Sequence, residues 1–391
     1  MSLSYTYTLY KTVAELPEEW DLLAGNIFLS RNYLSVLEQS APLNMACRFI
    51  GLFDQGQLIG IALAQFLDAH QLTSFGERDQ CFKTEIRKFL FKKLSARVLL
   101  IGNNMLTGQN AFALSEKADM DKVAESLKEV LKDLQKEFKA QGKKIHITVL
   151  KDFSKSTIKP LAQEFRKSYQ FSVQPNMVLS IEESWKEEQH YLDALSKKYR
   201  DQYKRARKKA AGLESRELSL AEIIHFEERI YALYFQVAKN APFNTFLLAK
   251  NHFRVLKEML QDKFLLYGYF FKDQLIGFST MIQNGDAIDT YFLGYDEAFQ
   301  KEQMLYLNML YDMLAYAIKH EFKELIFGRT ALEIKSSVGA KPVKMYGLLT
   351  HRNALLQKNM HCFFDYLEPE VDWKERNPFK EAASVAALQM Q

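Results

Sequence analysis

The tetrapeptide Gln-Leu-Ile-Gly occurs at Gln57 to Gly60 and again at Gln274 to Gly277, each time in the same local setting. The apolar run Phe49-Ile50-Gly51-Leu52-Phe53 and the polar stretch Asp54-Gln55-Gly56 precede the first copy; Leu265 to Phe271 and Lys272-Asp273 precede the second. Further apolar runs follow, Ile61 to Phe66 and Phe278 to Ile282. Strand, polar turn and strand make a β-hairpin. The same hairpin twice in 391 residues, a length that itself predicts two or three domains, predicts two copies of one domain.

The surroundings support a repeat of order as well as of letters. In the first half, Tyr5 to Tyr10 alternates as an opening strand, and Ser30 caps a helix over Arg31 to Gln39. After the hairpin come a basic amphipathic helix over Thr84 to Ser95 and a strand over Arg97 to Ile101. A long helix over Asp121 to Ala140, stopped by Gly142, leads to a strand over Ile145 to Leu150. In the second half, helices over Ala221 to Lys239 and Thr245 to Leu260 precede the hairpin. A strand over Ala287 to Gly294, a long helix over Gln300 to His320 and a strand over Glu324 to Phe327 follow. A last strand is expected near Val343 to Thr350. With 48% apolar residues, 29 Phe and 19 Tyr, there is ample material for two cores.

Between the halves, Leu192 to Gly212 predicts one helix with an inward stripe of Leu192, Leu195, Tyr199, Tyr203, Ala206 and Ala210. From Lys197 to Lys209 it carries eight basic residues against one acid, Asp201. Such density suits nucleic-acid phosphates or an anionic membrane surface, although a basic helix is also an ordinary solvated face.

This order resembles the GNAT acyltransferase fold. Two copies joined by a basic helix resemble the FemABX aminoacyltransferases and the related BioF2-like acetyltransferase group. Leu195-Ser196-Lys197-Lys198-Tyr199-Arg200 with Lys204-Arg205-Ala206 is similar to the element that closes the first FemABX domain. Phe327-Gly328-Arg329-Thr330 resembles the strand end after the second long helix. Lys335 with Val338-Gly339-Ala340 and Pro342 to Tyr346 resembles the stretch leading into the final strands, with Ile334 where the family often has Phe. The resemblance implies an α/β (α+β) chain of two tandem GNAT-like domains, each a mixed, mostly antiparallel sheet flanked by helices. The expected division is 1–182, a basic linker helix over 183–212, and 213–391.

It also implies an acyl or aminoacyl transferase acting on an amine, with the site in the second domain. Two donors stay open. Acetyl-CoA users of this fold cradle the pyrophosphate in a glycine-rich loop at the start of the long helix. Here that stretch is Gln300-Lys301-Glu302-Gln303-Met304-Leu305, without glycine. FemABX enzymes lack the loop because their donor is aminoacyl-tRNA, which the basic residues Lys197, Arg200, Lys204 and Arg205 would contact. The acceptor would be a cell-wall precursor or a lipid. A non-catalytic binding protein and a lipid N-acyltransferase on an anionic membrane remain alternatives.

Amine acylation needs a base, oxyanion stabilisation and leaving-group protonation. Asp289 and Tyr291 alternate with Ile288 and Thr290 and so share a strand face, as catalytic groups or as a plain polar face. Arg329 and Lys335 follow a strand end, where open sheets place ligands. Arg329 would clamp a carboxylate or phosphate, and Lys335 would supply a point charge to the donor or the oxyanion. Lys344 and Tyr346 are companion substrate-binding candidates.

The eight histidines lack metal-ligand spacing, so no metal is expected. No Walker, GxGxxG or GxSxG motif supports nucleotide hydrolysis or serine hydrolase chemistry. Three cysteines (Cys47, Cys81, Cys362) without CxxC spacing, no signal-like start and no membrane-length apolar run predict a cytoplasmic protein.

Overall fold

The computed structural model describes residues 4–69, 97–108, 110–172, 174–240, 244–360 and 373–380. The basic helix expected at Thr84 to Ser95 lies outside these residues, as do Cys81 and Cys362. The chain forms two compact units. The first comprises Met1–Val173, Ala241–Val255 and Lys344–Val371; the second comprises Gln174–Asn240, Leu256–Val343 and Asp372–Gln391. Neither is a contiguous stretch, so the ranges 1–182 and 213–391 miss two strand transfers.

The main path of the first sheet runs Thr6–Tyr10, Met45–Asp54, Gln57–Asp68, Arg97–Ile101, Ile147–Phe153, Tyr346–His351 and Tyr169–Ser172. That of the second runs Lys341–Val343, Asn176–Ser180, Glu324–Gly328, Ala287–Thr290, Gln274–Asn284, Phe264–Phe271 and Glu214–Glu217. Among the described residues, each has one parallel pair. It joins Arg97–Ile101 to Ile147–Phe153 in the first, and Ala287–Thr290 to Glu324–Gly328 in the second. The late strand Tyr346–His351 pairs with Ile147–Phe153 and completes the first sheet. The early strand Asn176–Ser180 pairs with Glu324–Gly328 in the second.

Both Gln-Leu-Ile-Gly hairpins have two central turn residues at positive φ, Gln55 (49°) with Gly56 (86°), and Lys272 (47°) with Asp273 (63°). That is the I′ turn matching strand twist. Each hairpin shifts register once before its turn, at Leu52/Phe53 and at Tyr269/Phe270. The repeat is longer than four letters, reading Gly-x-Phe-x-x-x-Gln-Leu-Ile-Gly from Gly51 and from Gly268. A Cβ on Gly51 would lie 3.0 Å from the Phe53 ring, and one on Gly268 2.9 Å from the Phe270 ring. The closing glycines are equally confined: a Cβ on Gly60 would meet Leu114 at 2.8 Å, and one on Gly277 would meet Met309 at 2.8 Å.

Helix Met120–Ala140 buries Val123, Leu127, Val130, Leu131, Leu134 and Phe138 in the first core. Helix Leu305–Lys319 buries Leu305, Met309, Leu310, Met313, Leu314, Ala317 and Ile318 in the second. Four long helices read from the sequence are shorter or broken. Thr245 is pinned by Asn44 Nδ2 on its carbonyl (2.9 Å) and Asn104 Nδ2 on its hydroxyl (2.7 Å), and the helix there begins only at His252. Phe226 separates Leu220–His225 from Glu227–Lys239. Leu195 and Ser196 divide the linker into Glu188–Ala194 and Lys197–Lys209. Met304, left-handed at φ 46°, separates Glu297–Gln303 from Leu305–Lys319.

Candidate functional site

In the second sheet the parallel strands pair only as far as Asp289 and Ile326, and then diverge. Past this point Tyr291 N donates to Thr280 O (2.9 Å), holding that strand to its hairpin neighbour. The other strand turns sharply: Gly328, Thr330 and Ala331 have φ values of 71°, 65° and 48°. Thr330 is β-branched, so a left-handed backbone there stores strain on the order of 1–3 kcal/mol. Ligands of open α/β sheets lie at such strand ends.

Asp289 sits at the fork with 6% of its surface exposed. Burial pushes its carboxyl up to about 7; the Asn284 Nδ2 hydrogen bond to its Oδ2 (3.0 Å) opposes the shift, and Glu324 reinforces it. A carboxyl tuned to that range can take a proton near neutrality. The native state therefore holds a proton between roughly pH 4 and 7 that the unfolded chain has lost, so this group's contribution to stability falls as pH rises through that window. Asp289→Asn is expected to match wild type in melting temperature near pH 4 and to exceed it at pH 8. Calorimetry at both pH values checks this, and a variant equal to wild type at both contradicts it.

Lys335 lies on the short helix Leu332–Ser337 and is 5% exposed. Its Nζ donates to the carbonyls of Phe327 (2.7 Å), Arg329 (2.6 Å) and, more weakly, Gly328 (3.4 Å). Burial lowers its ammonium to about 7, while these acceptors favour the charged form. The side chain thus braces the strained turn; it does not project as the point charge expected from the sequence. Arg329 is half-buried, and its Nε donates to Gln174 O (3.2 Å). Tyr291 follows the strand end at Thr290, its N–H still on Thr280 O. Lys344 and Tyr346 belong to the first unit, where Tyr346 opens the strand paired with Ile147–Phe153; Arg329 and Lys335 belong to the second.

The corresponding fork of the first unit is filled by its own polar groups. Lys151 Nζ donates to Asn103 O (2.9 Å) and Leu106 O (3.0 Å) and pairs with Asp152. Gln65 accepts from Asn104 N (2.7 Å), and Asn103 donates to the Tyr33 hydroxyl (3.2 Å).

The N-termini of both long helices are also occupied. Asp119 Oδ1 accepts from Asp121 N and Lys122 N in the first unit. In the second, Gln300 Oε1 accepts from Tyr306 N (2.8 Å). These are N–H groups that a pyrophosphate would otherwise use.

Helix Lys197–Lys209 packs Tyr199 and Ala206 into the second core. Arg207 is stacked between Tyr203 and Tyr311 (5.1 and 5.7 Å to the ring centroids) and bridges Asp312 and Glu188. Lys197, Lys198, Lys204, Arg205, Lys208 and Lys209 are exposed, while Arg200 is half-buried. None of these seven has an ion pair among the described residues.

Asn284 and Asn176 carry no sequence motif, and the reading from the sequence missed both. Asn284 Nδ2 donates to Asp289 Oδ2. Asn176 Oδ1 is buried and accepts no hydrogen bond among the described residues. Among those residues, no group of three or more His, Cys, Asp or Glu could hold a metal ion, and no helix is long and apolar enough to cross a membrane.

A family model described as FemAB-like, peptidoglycan biosynthesis/recognition, matches residues 12–381. No curated protein matches the chain. Among solved structures, FemX is similar at 12% identity and a TM-score of 0.52, covering 90% of this chain and 99% of that one. A tandem GNAT protein from the clavulanic acid biosynthesis pathway is similar at 9% identity and 0.51, covering 90% and 99%. A conserved protein of unknown function from Bacteroides thetaiotaomicron is similar at 10% identity and 0.51, covering 89% and 100%. At these identities the likeness shows the fold: two tandem GNAT-like units.

Proposed function

We propose, because this chain belongs to the FemAB-like family and carries a buried proton acceptor at the fork of its second unit, that it transfers an acyl or aminoacyl group to an amine. The observation that carries this reading is Asp289, raised to about 7 where the paired strands part. Asp289 takes the proton of the acceptor amine as its nitrogen attacks the donor carbonyl. A C–N bond forms, and the tetrahedral oxyanion then expels the donor's oxygen or sulfur, which leaves protonated. Arg329 binds substrate at the same strand end. Lys335 positions the turn that carries it, and through that turn the fork. The family description supports a cell-wall precursor as acceptor in preference to a lipid.

The capped helix N-termini support a donor that does not seat a pyrophosphate there, and so favour aminoacyl-tRNA over acyl-CoA. The unpaired face of Lys197, Lys204, Arg205 and Lys208, with Arg200 beside it, suits phosphates. Aminoacyl-tRNA is expected to bind with a steep salt dependence. Neutralising Lys204, Arg205 and Lys208 together should flatten the log–log slope by about 2–3. Filter binding between 50 and 200 mM salt reads this. An unchanged slope removes the basic helix from donor binding, and a melting-temperature rise with acyl-CoA but not with tRNA reverses the choice of donor.

A further inference from the structure

Asn176 is 5% exposed, yet its Oδ1 accepts no hydrogen bond among the described residues. A buried acceptor left without a donor is destabilising, so its retention asks for a ligand or a function. Its place in the sheet suggests which. Leu179, Leu325 and Ile288 are register partners and lie together in the core packed on the long helix. Their neighbours Val178, Ile326 and Asp289 therefore face the opposite side of the sheet. Asn176, two residues from Val178, shares that side; Met177, buried in the helix-side core, confirms the alternation.

Along the strand, Met177 pairs with Gly328, so Asn176 is level with Arg329 at the mouth of the fork. Two strand spacings of roughly 4.8 Å and two residue rises of roughly 3.4 Å put the Cα atoms of Asn176 and Asp289 about 12 Å apart. A ligand on this face can meet Asp289 with one end and Asn176 with the other.

We propose that Asn176 is a specificity-determining residue of the acceptor site, its Oδ1 taking a hydrogen bond from an amide N–H or hydroxyl set back from the reacting amine. This rests on the reading of Asp289 as the group that meets that amine. Only a donor satisfies Oδ1, so an acceptor with a bare alkyl tail leaves it unpaired and binds more weakly.

β-Alaninamide carries an amine and an amide nitrogen roughly 5 Å apart and, with a hydrogen bond at each end, spans about 11 Å; n-butylamine has the same length and no second donor. Dissociation constants for both, by ligand-observed NMR at pH 8, are expected to favour β-alaninamide about tenfold in wild type. Asn176→Leu should abolish the preference while holding or raising the melting temperature, and Asn176→Ala should abolish it independently of how leucine packs. Equal binding of the two amines by wild type, or a preference that survives in both variants, overturns the proposal. Asp289→Asn should weaken both amines alike. If it leaves both unchanged, the reading of Asp289 fails, and the inference resting on it falls with it.

Discussion

Replacing Asp289 by asparagine is expected to lower the rate of acyl or aminoacyl transfer by about 10²–10⁴ while leaving the protein folded. The substitution keeps the shape and an acceptor for Asn284 Nδ2, but removes the carboxylate proposed to receive the amine proton. Wild-type activity should rise with pH through about 7, where the buried carboxyl loses its own proton. The variant should lack that limb, which separates loss of a base from a general loss of geometry. Single-turnover transfer from a labelled donor across pH 5.5 to 8.5 measures both. Retention of more than a third of the wild-type rate would move the base elsewhere.

The second large effect is on stability. Lys335→Met keeps most of the apolar stem and removes the ammonium, leaving the carbonyls of Phe327, Gly328 and Arg329 without their buried donor. A loss of about 2–5 kcal/mol is expected from these unpaired acceptors, at a turn already strained at Thr330 and Ala331. Urea unfolding reads it directly. A change below about 0.5 kcal/mol would show that the carbonyls find other partners and that the lysine is not what braces the turn.

These two residues also show what a sequence can and cannot convey. The repeated hairpin was legible because its turn, register shift and glycines are local requirements that side-chain identity must meet. Long-helix breaks were not. Met304 and Phe226 are unremarkable in sequence; at the Met304 break Asn308 donates to the nearby carbonyls of Gln303 and Met304 and to the distant one of Ala206. At the candidate site, the shifted titration of Asp289 and Lys335 comes from burial that no motif encodes. Asn176 could not be found at all: an acceptor without a donor is a property of its surroundings. Unit membership at Lys344 and Tyr346 was not legible either: the chain passes into the first sheet there with no local pattern to mark it.

That passage bears on how the protein emerges from the ribosome. The first sheet needs Tyr346–His351 between Ile147–Phe153 and Tyr169–Ser172, so its last interior position is translated long after its other strands. At about 5–20 residues per second the gap lasts roughly 10–35 s. Throughout it, the nascent first half exposes two unpaired strand edges, inviting a holding chaperone or a premature partner.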